Sequence, residues 1–130
     1  MSTEDNKAAS NRIVEAMTAR DFAALKELMA PNVYEEFAKG FGEMLAAFPD
    51  YQGMNIDTIA EGDKVVQRWT ASGTHHGSFM GIPPTGKQVT FNGISIDQYA
   101  DGKLINSWIE MDMLGVLQQL GVVPTLGQAS

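Results

Sequence analysis

The chain has 130 residues, 44% of them hydrophobic and 19% charged, a balance that suits one globular domain with a real core rather than a disordered chain. A net charge of −7 and a pI near 4.6 argue against nucleic acid and anionic membranes as partners, because both attract basic surfaces. The chain has no cysteine, which excludes disulfides and thiol chemistry, and no apolar run approaches the roughly 18 residues of a membrane span. Its polar first residues lack a secretory core, so a cytoplasmic location is expected.

Residues 1–30 carry helical spacing. Ile13, Val14 and Met17 share one face. Asp21 is placed to cap a second short helix whose apolar side is Phe22, Leu25, Leu28 and Met29, with Pro31 after its end. A third helix is expected from Tyr34 to Phe48, where Phe37, Phe41, Met44, Leu45 and Phe48 form a stripe. Gly40 and Gly42 each weaken it by about 1 kcal/mol relative to Ala.

After Pro49 and Asp50 the period changes from helical to alternating. Met54, Ile56 and Thr58 alternate, and Glu61-Gly62-Asp63 makes a turn. Lys64 to Gly73 is a strand with Val65, Gln67, Trp69 and Ala71 on one face. A loop from Thr74 to Gly86 is stiffened by Pro83 and Pro84. Val89 to Tyr99 is a further strand, with Asn92-Gly93 as an expected bulge or bend, and Ala100 to Lys103 is a hairpin turn.

In the last strand, strict alternation puts Leu104, Asn106, Trp108, Glu110 and Asp112 on one face unless a bulge resets it. Leu114, Leu117 and Leu120 then read as a short helix ended by Gly121. Helices followed by turn-linked strands make an α+β domain with a mainly antiparallel sheet, spanning 1–130 with residues 122–130 as a flexible tail.

Few residues could carry chemistry. His75 and His76 are neighbours on an extended segment and point apart, so no metal site is expected. Phosphate-loop and nucleophile-elbow motifs are absent. What remains is Asp112 as a candidate acid/base at the exit of an apolar strand, with His75 or His76 as a loop partner. The plain alternative is a carboxylate that caps the helix after it.

Gly62 through Lys87, Val89 through Ile96, Asp101-Gly102-Lys103 and Trp108 through Gly121 together resemble the SnoaL-like polyketide cyclase family of the NTF2-like superfamily. The resemblance is strong over about 50–121 and looser over the N-terminal helices. It implies a cone-shaped barrel, with N-terminal helices packed in a curved, mostly antiparallel sheet around a deep apolar pocket. It also implies Asp112 as the acid/base of an intramolecular aldol ring closure, His75 as its loop partner, and no metal or organic cofactor.

Trp69, Phe79, Met80, Trp108, Glu110 and Met113 are the candidate pocket wall. The expected partners are a small hydrophobic carbonyl compound and a second copy of the chain. A non-catalytic binder, or isomerisation, epoxide opening or aldol cleavage in the same pocket, are the alternatives. The chain departs from the family pattern in two places: Ala30 to Tyr34 runs almost directly into the third helix, and Asn106 stands where Glu is usual.

Overall fold

The computed structural model describes residues 2–124, so residues 125–130 of the expected tail lie outside the described residues. Three helices come first: α1 (Thr3–Ala19), α2 (Phe22–Leu28) and α3 (Pro31–Ala47). Ser2 opens α1 with a reciprocal cap, its hydroxyl accepting the Asp5 N–H at 3.0 Å while the Asp5 carboxylate accepts the Ser2 N–H at 3.1 Å. Asp21 caps α2 as expected, accepting the Ala24 N–H at 3.0 Å. The third helix starts three residues earlier than its apolar stripe indicates, at Pro31. Proline suits a first helical position, where its missing N–H has no partner to lose.

Four strands follow: β1 (Gln52–Glu61), β2 (Lys64–Thr74), β3 (Gln88–Ala100) and β4 (Lys103–Met111). They form one antiparallel curved sheet in the order β1-β2-β3-β4. Asp101 and Gly102 both take positive φ, 52° and 79°, as a two-residue hairpin between twisted strands requires. The expected bulge at Asn92-Gly93 is absent, because β2 and β3 pair without interruption from Lys64↔Gln98 to Thr74↔Gln88. Gly93 serves another purpose: a Cβ there would lie 2.4 Å from the Trp69 ring, so its absence lets the indole lie across the strand.

The irregularities fall elsewhere, in β1 between Asn55 and Asp57 and in the β3–β4 pairing at Gln98/Tyr99. The second makes Ile105 an extra residue. Leu104 pairs with Tyr99 and is buried, whereas Ser107 pairs with Asp97, Ile109 with Ser95 and Met111 with Gly93. The inward set of β4 is therefore Leu104, Ser107, Ile109 and Met111, and Asn106, Trp108 and Glu110 face out.

Two apolar cores hold the layers together. One joins α1 and α2 to the sheet through Ile13, Leu25, Met29, Val65 and Leu104. The other gathers Phe48, Ala71, Val89 and Phe91 under the closing helix α4 (Met113–Leu120), which contributes Val116 and Leu120. The loop between β2 and β3 is pinned to the end of α3, where Ala47 C=O accepts the N–H groups of both His76 and Gly77 at 3.0 Å. Asp50 ties the same corner to β2 by accepting the Thr74 N–H at 2.6 Å and its hydroxyl at 2.7 Å. Among the described residues no helix is long and apolar enough to cross a membrane.

The Gly77 contact is testable. An added Cβ would lie 2.2 Å from the Ala46 carbonyl oxygen, so Gly77→Ala is expected to lower unfolding stability by about 2 kcal/mol, read from the urea midpoint. An unchanged midpoint would mean that this corner is looser than its contacts indicate.

Candidate active site

Between the two cores lies a cavity of about 420 Å³. Its apolar walls come from α1 (Ile13, Met17), α3 (Phe37, Phe41) and the inner face of the sheet (Trp69, Met111). The polar wall comes from adjacent inward positions of β2, β3 and β4: Gln67, Ser95, Asp97, Tyr99 and Ser107, with Ser10 of α1 opposite. An inward alternation that runs Phe91, Gly93, Ser95, Asp97, Tyr99 along β3 delivers three polar groups to one surface.

The bonds on this wall are specific. Ser107 donates its hydroxyl to Asp97 Oδ1 at 2.6 Å, and Trp69 donates its indole N–H to Ser95 Oγ at 2.9 Å. Gln67 donates to Ser10 Oγ. Asp97 is only 9% exposed, and burial pushes its carboxyl above the usual carboxylate range, with the Ser107 bond pulling the other way. Tyr99 is 3% exposed, and its hydroxyl is pushed above its ordinary range by burial first and by the Asp97 charge second, against a smaller opposite pull from Ser10. Arg20, also on the cavity, donates to the carbonyls of Met17 at 2.9 Å and of Tyr51, and lies over the Phe41 ring.

Most residues marked out in the sequence lie elsewhere. Asp112 is exposed and caps α4, accepting the Gly115 N–H at 2.9 Å, while its own N–H donates to Asn92 C=O at 2.9 Å. A Cβ at Gly115 would fall 2.3 Å from the Asp112 carboxylate, so the spacing Asp112-Met-Leu-Gly115 is that of a tight cap. Asp112 borders a shallow groove on the outer face of the sheet with Arg68, Ile94 and Glu110.

His75 is completely buried. Its Nδ1 accepts the Thr85 N–H at 3.1 Å, so a neutral ring carries its proton on Nε2, and the ring stacks on Phe48 with centroids 5.4 Å apart. It lines neither the cavity nor the outer groove, and it makes no hydrogen bond to Asp112.

Trp69 alone of the expected pocket wall lines the inner cavity. The expectation for Trp108 and Glu110 is corrected by the bulge at Ile105, which turns them outward. Phe79 packs edge-on against Phe48, and Met113 packs on the same core. Met80 sits at the tip of the β2–β3 loop at φ 50°, where a two-residue turn with Gly81 lifts it into solvent.

The residues that sequence reasoning missed are Asp97, Tyr99, Ser10, Gln67 and Ser107. One signal was available: Asp97 lies between Phe91 and Tyr99 at the parity of the apolar face.

The family model for SnoaL-like polyketide cyclases matches residues 7–120. The chain belongs to that family. Among solved members of this fold, AclR from Streptomyces galilaeus, a candidate hydroxylase, is 28% identical with a TM-score of 0.87, over 98% of this chain and 87% of that one. IdmH from Streptomyces antibioticus, a candidate polyketide cyclase, is 28% identical with a TM-score of 0.80, over 90% and 99% of the two chains. TsrD from Streptomyces laurentii is 26% identical with a TM-score of 0.84, over 95% and 99%. No curated protein sequence matches the chain.

In this SnoaL-like chain the buried acid has a consequence for stability. Because the folded state holds the Asp97 proton more tightly than the unfolded chain, its contribution is fully present below the ordinary value of 3.8 and is lost as pH rises through the raised folded value. Each unit of elevation corresponds to about 1.4 kcal/mol. Asp97→Asn is therefore expected to melt higher than the native protein at pH 7, with the gap closing as pH falls towards 3.8. A gap that stays constant across that titration would show that Asp97 is not perturbed.

Proposed function

We propose that this SnoaL-like protein is a cofactor-independent acid/base enzyme. It closes a ring by intramolecular aldol addition on a small hydrophobic carbonyl compound held in the inner cavity. The observation that carries this reading is Asp97, a buried carboxylate on the cavity wall with one oxygen anchored by Ser107. Asp97 takes the role that the family resemblance assigns to Asp112, which is engaged as a helix cap on the outer face.

The chemistry balances without an oxidant or a metal. The Asp97 carboxylate removes the proton from the carbon between two carbonyl groups, and the C–H electron pair moves on to a carbonyl oxygen to give an enolate. The enolate carbon bonds to a second carbonyl carbon in the same molecule, and the resulting alkoxide takes the proton back from Asp97. A carboxyl group whose proton affinity is raised by burial is a stronger base when ionised and remains able to return the proton. The apolar walls keep water from competing for the enolate. AclR and IdmH, with different reactions named for them, share this fold, so the reading rests on Asp97 and not on the fold.

Deuterium exchange tests it. Activated ketones, β-keto esters and anthrone are incubated in deuterated buffer with native protein, Asp97→Asn and Asp112→Asn, and read by mass spectrometry. Native protein and Asp112→Asn, which keeps a good cap, are expected to label the carbon next to the carbonyl, and Asp97→Asn to lose about 100-fold or more. Loss in Asp112→Asn with retention in Asp97→Asn would return the role to Asp112. Compounds that bind but never exchange would favour the non-catalytic binder.

We further propose that two copies pair through the outer face of the sheet, where Ile94, Ile96 and Trp108 form an exposed apolar row across β3 and β4. Light scattering is expected to give twice the chain mass, and Trp108→Lys to halve it. A native monomer would overturn the pairing.

A further inference from the structure

We propose that the Tyr99 hydroxyl is an oxyanion-binding donor that makes the inner cavity select the ionised form of an enol or phenol. The inference rests on the inner cavity being the ligand site, as proposed above, but not on turnover. Three observations meet at this group.

First, the Tyr99 hydroxyl is buried and makes no hydrogen bond of ordinary length and angle among the described residues: the nearby Ser10 hydroxyl is taken by Gln67, and the Tyr99 side chain lines the cavity. A buried tyrosine hydroxyl ordinarily finds a partner, and leaving one unmatched is costly. An acceptor brought into the cavity by a ligand removes that cost, and a charged oxygen accepts more strongly than a neutral one.

Second, the neighbouring polar groups are already engaged with one another. Gln67 donates to Ser10, Trp69 to Ser95 and Ser107 to Asp97, so each of these pairs is matched without a ligand. Among the described residues, Tyr99 is the polar side chain of this wall whose buried hydroxyl makes no bond at all.

Third, Asp97 is two residues away on the same face of β3 and supplies the place for the ligand's proton. For a phenol the ligand O–H bond breaks, a carboxyl O–H bond forms on Asp97, and the phenolate oxygen accepts the Tyr99 hydrogen bond. Net charge in the cavity is unchanged, so no second buried anion is created. The same exchange with a C–H acid yields the enolate. A wall that holds an enolate in this way lowers the barrier to forming it, which is why the same donor would serve a reaction as well as a complex.

The probe is para-nitrophenol, whose ionised form absorbs in the visible, compared with its methyl ether para-nitroanisole, which fits the same space and has no proton to give up. Binding is measured by titration at a pH one unit below the free phenol's own midpoint, with native protein, Tyr99→Phe and Asp97→Asn. Native protein is expected to bind the phenol with the phenolate band and more tightly than the ether. Tyr99→Phe removes only an unmatched oxygen, so it should fold and melt no lower than native. It should bind the ether as native does, and the phenol-over-ether preference should fall by about tenfold or more, the worth of one hydrogen bond to a charged oxygen. In Asp97→Asn, bound phenol should keep its proton.

An equal preference in native protein and Tyr99→Phe would overturn the Tyr99 role while leaving the cavity in place. Failure of native protein to bind either compound would overturn both this inference and the choice of the inner cavity.

Discussion

The extra residue in β4 governs what the molecule can do. Side chains in a strand alternate with period two, so one inserted residue exchanges the faces of everything beyond it. At Ile105 that exchange brings Ser107 opposite Asp97 and sends Trp108 and Glu110 to the outer face. Without it, the wall would receive the Asn106 amide opposite Asp97, with Trp108 and Glu110 further along, instead of the Ser107 hydroxyl, Ile109 and Met111. The bulge makes Asp97 the buried acid of the wall and gives it a neutral donor to hold one oxygen in place.

The cavity exists because neither core reaches across the sheet. The core under α1 and α2 ends at Tyr99 and Leu104, and the core under α4 ends at Trp69 and Met111. The gap is bridged by polar pairs that cannot pack as tightly as apolar side chains but can be satisfied individually. Such a wall is less stabilising than an apolar one of equal area, and the burial of the Asp97 carboxyl makes it less so as pH rises. Local stability is supplied elsewhere, by the capped ends of α1, α2 and α4 and by the doubly bonded Asp50–Thr74 corner. Rigid elements around a polar gap are the arrangement that a pre-organised site needs.

Much of the fold was legible from local pattern. The apolar stripe of α3, the Asp21 cap, the alternation of β2 and the Asp101-Gly102 turn each depend on a few neighbouring residues, and each appears as read. The misreadings share a cause. A bulge is a property of two strands in register, so Asn92-Gly93 could attract the expectation while the slip occurred at Ile105. The place of His75 was equally hidden, because its partners Phe48 and Thr85 reach it from α3's end and from across a loop. Asp97 is the one acid of β3, and only its parity with Phe91 and Tyr99 marks it as inward.

Asp112 and His75 nonetheless bear on the site, at one remove. Asp112 caps α4, and α4 presses Val116 and Leu120 on to the core that contains Val89 and Phe91 at the start of β3. Gln119 of the same helix bonds both the N–H and the C=O of Thr90, at 2.7 and 2.8 Å, and so fixes that strand's end. His75 holds the loop that enters β3, through Thr85 and through the paired bonds of its own backbone to Gly86 and Lys87. Both residues thus set where β3 begins, and β3 carries Ser95, Asp97 and Tyr99 into the cavity. A motif in the sequence can mark the parts that hold a reactive strand in register as clearly as it marks the reactive group. Here Asp112 stands on the outer face of the sheet and Asp97 on the buried face, where a charge has consequences.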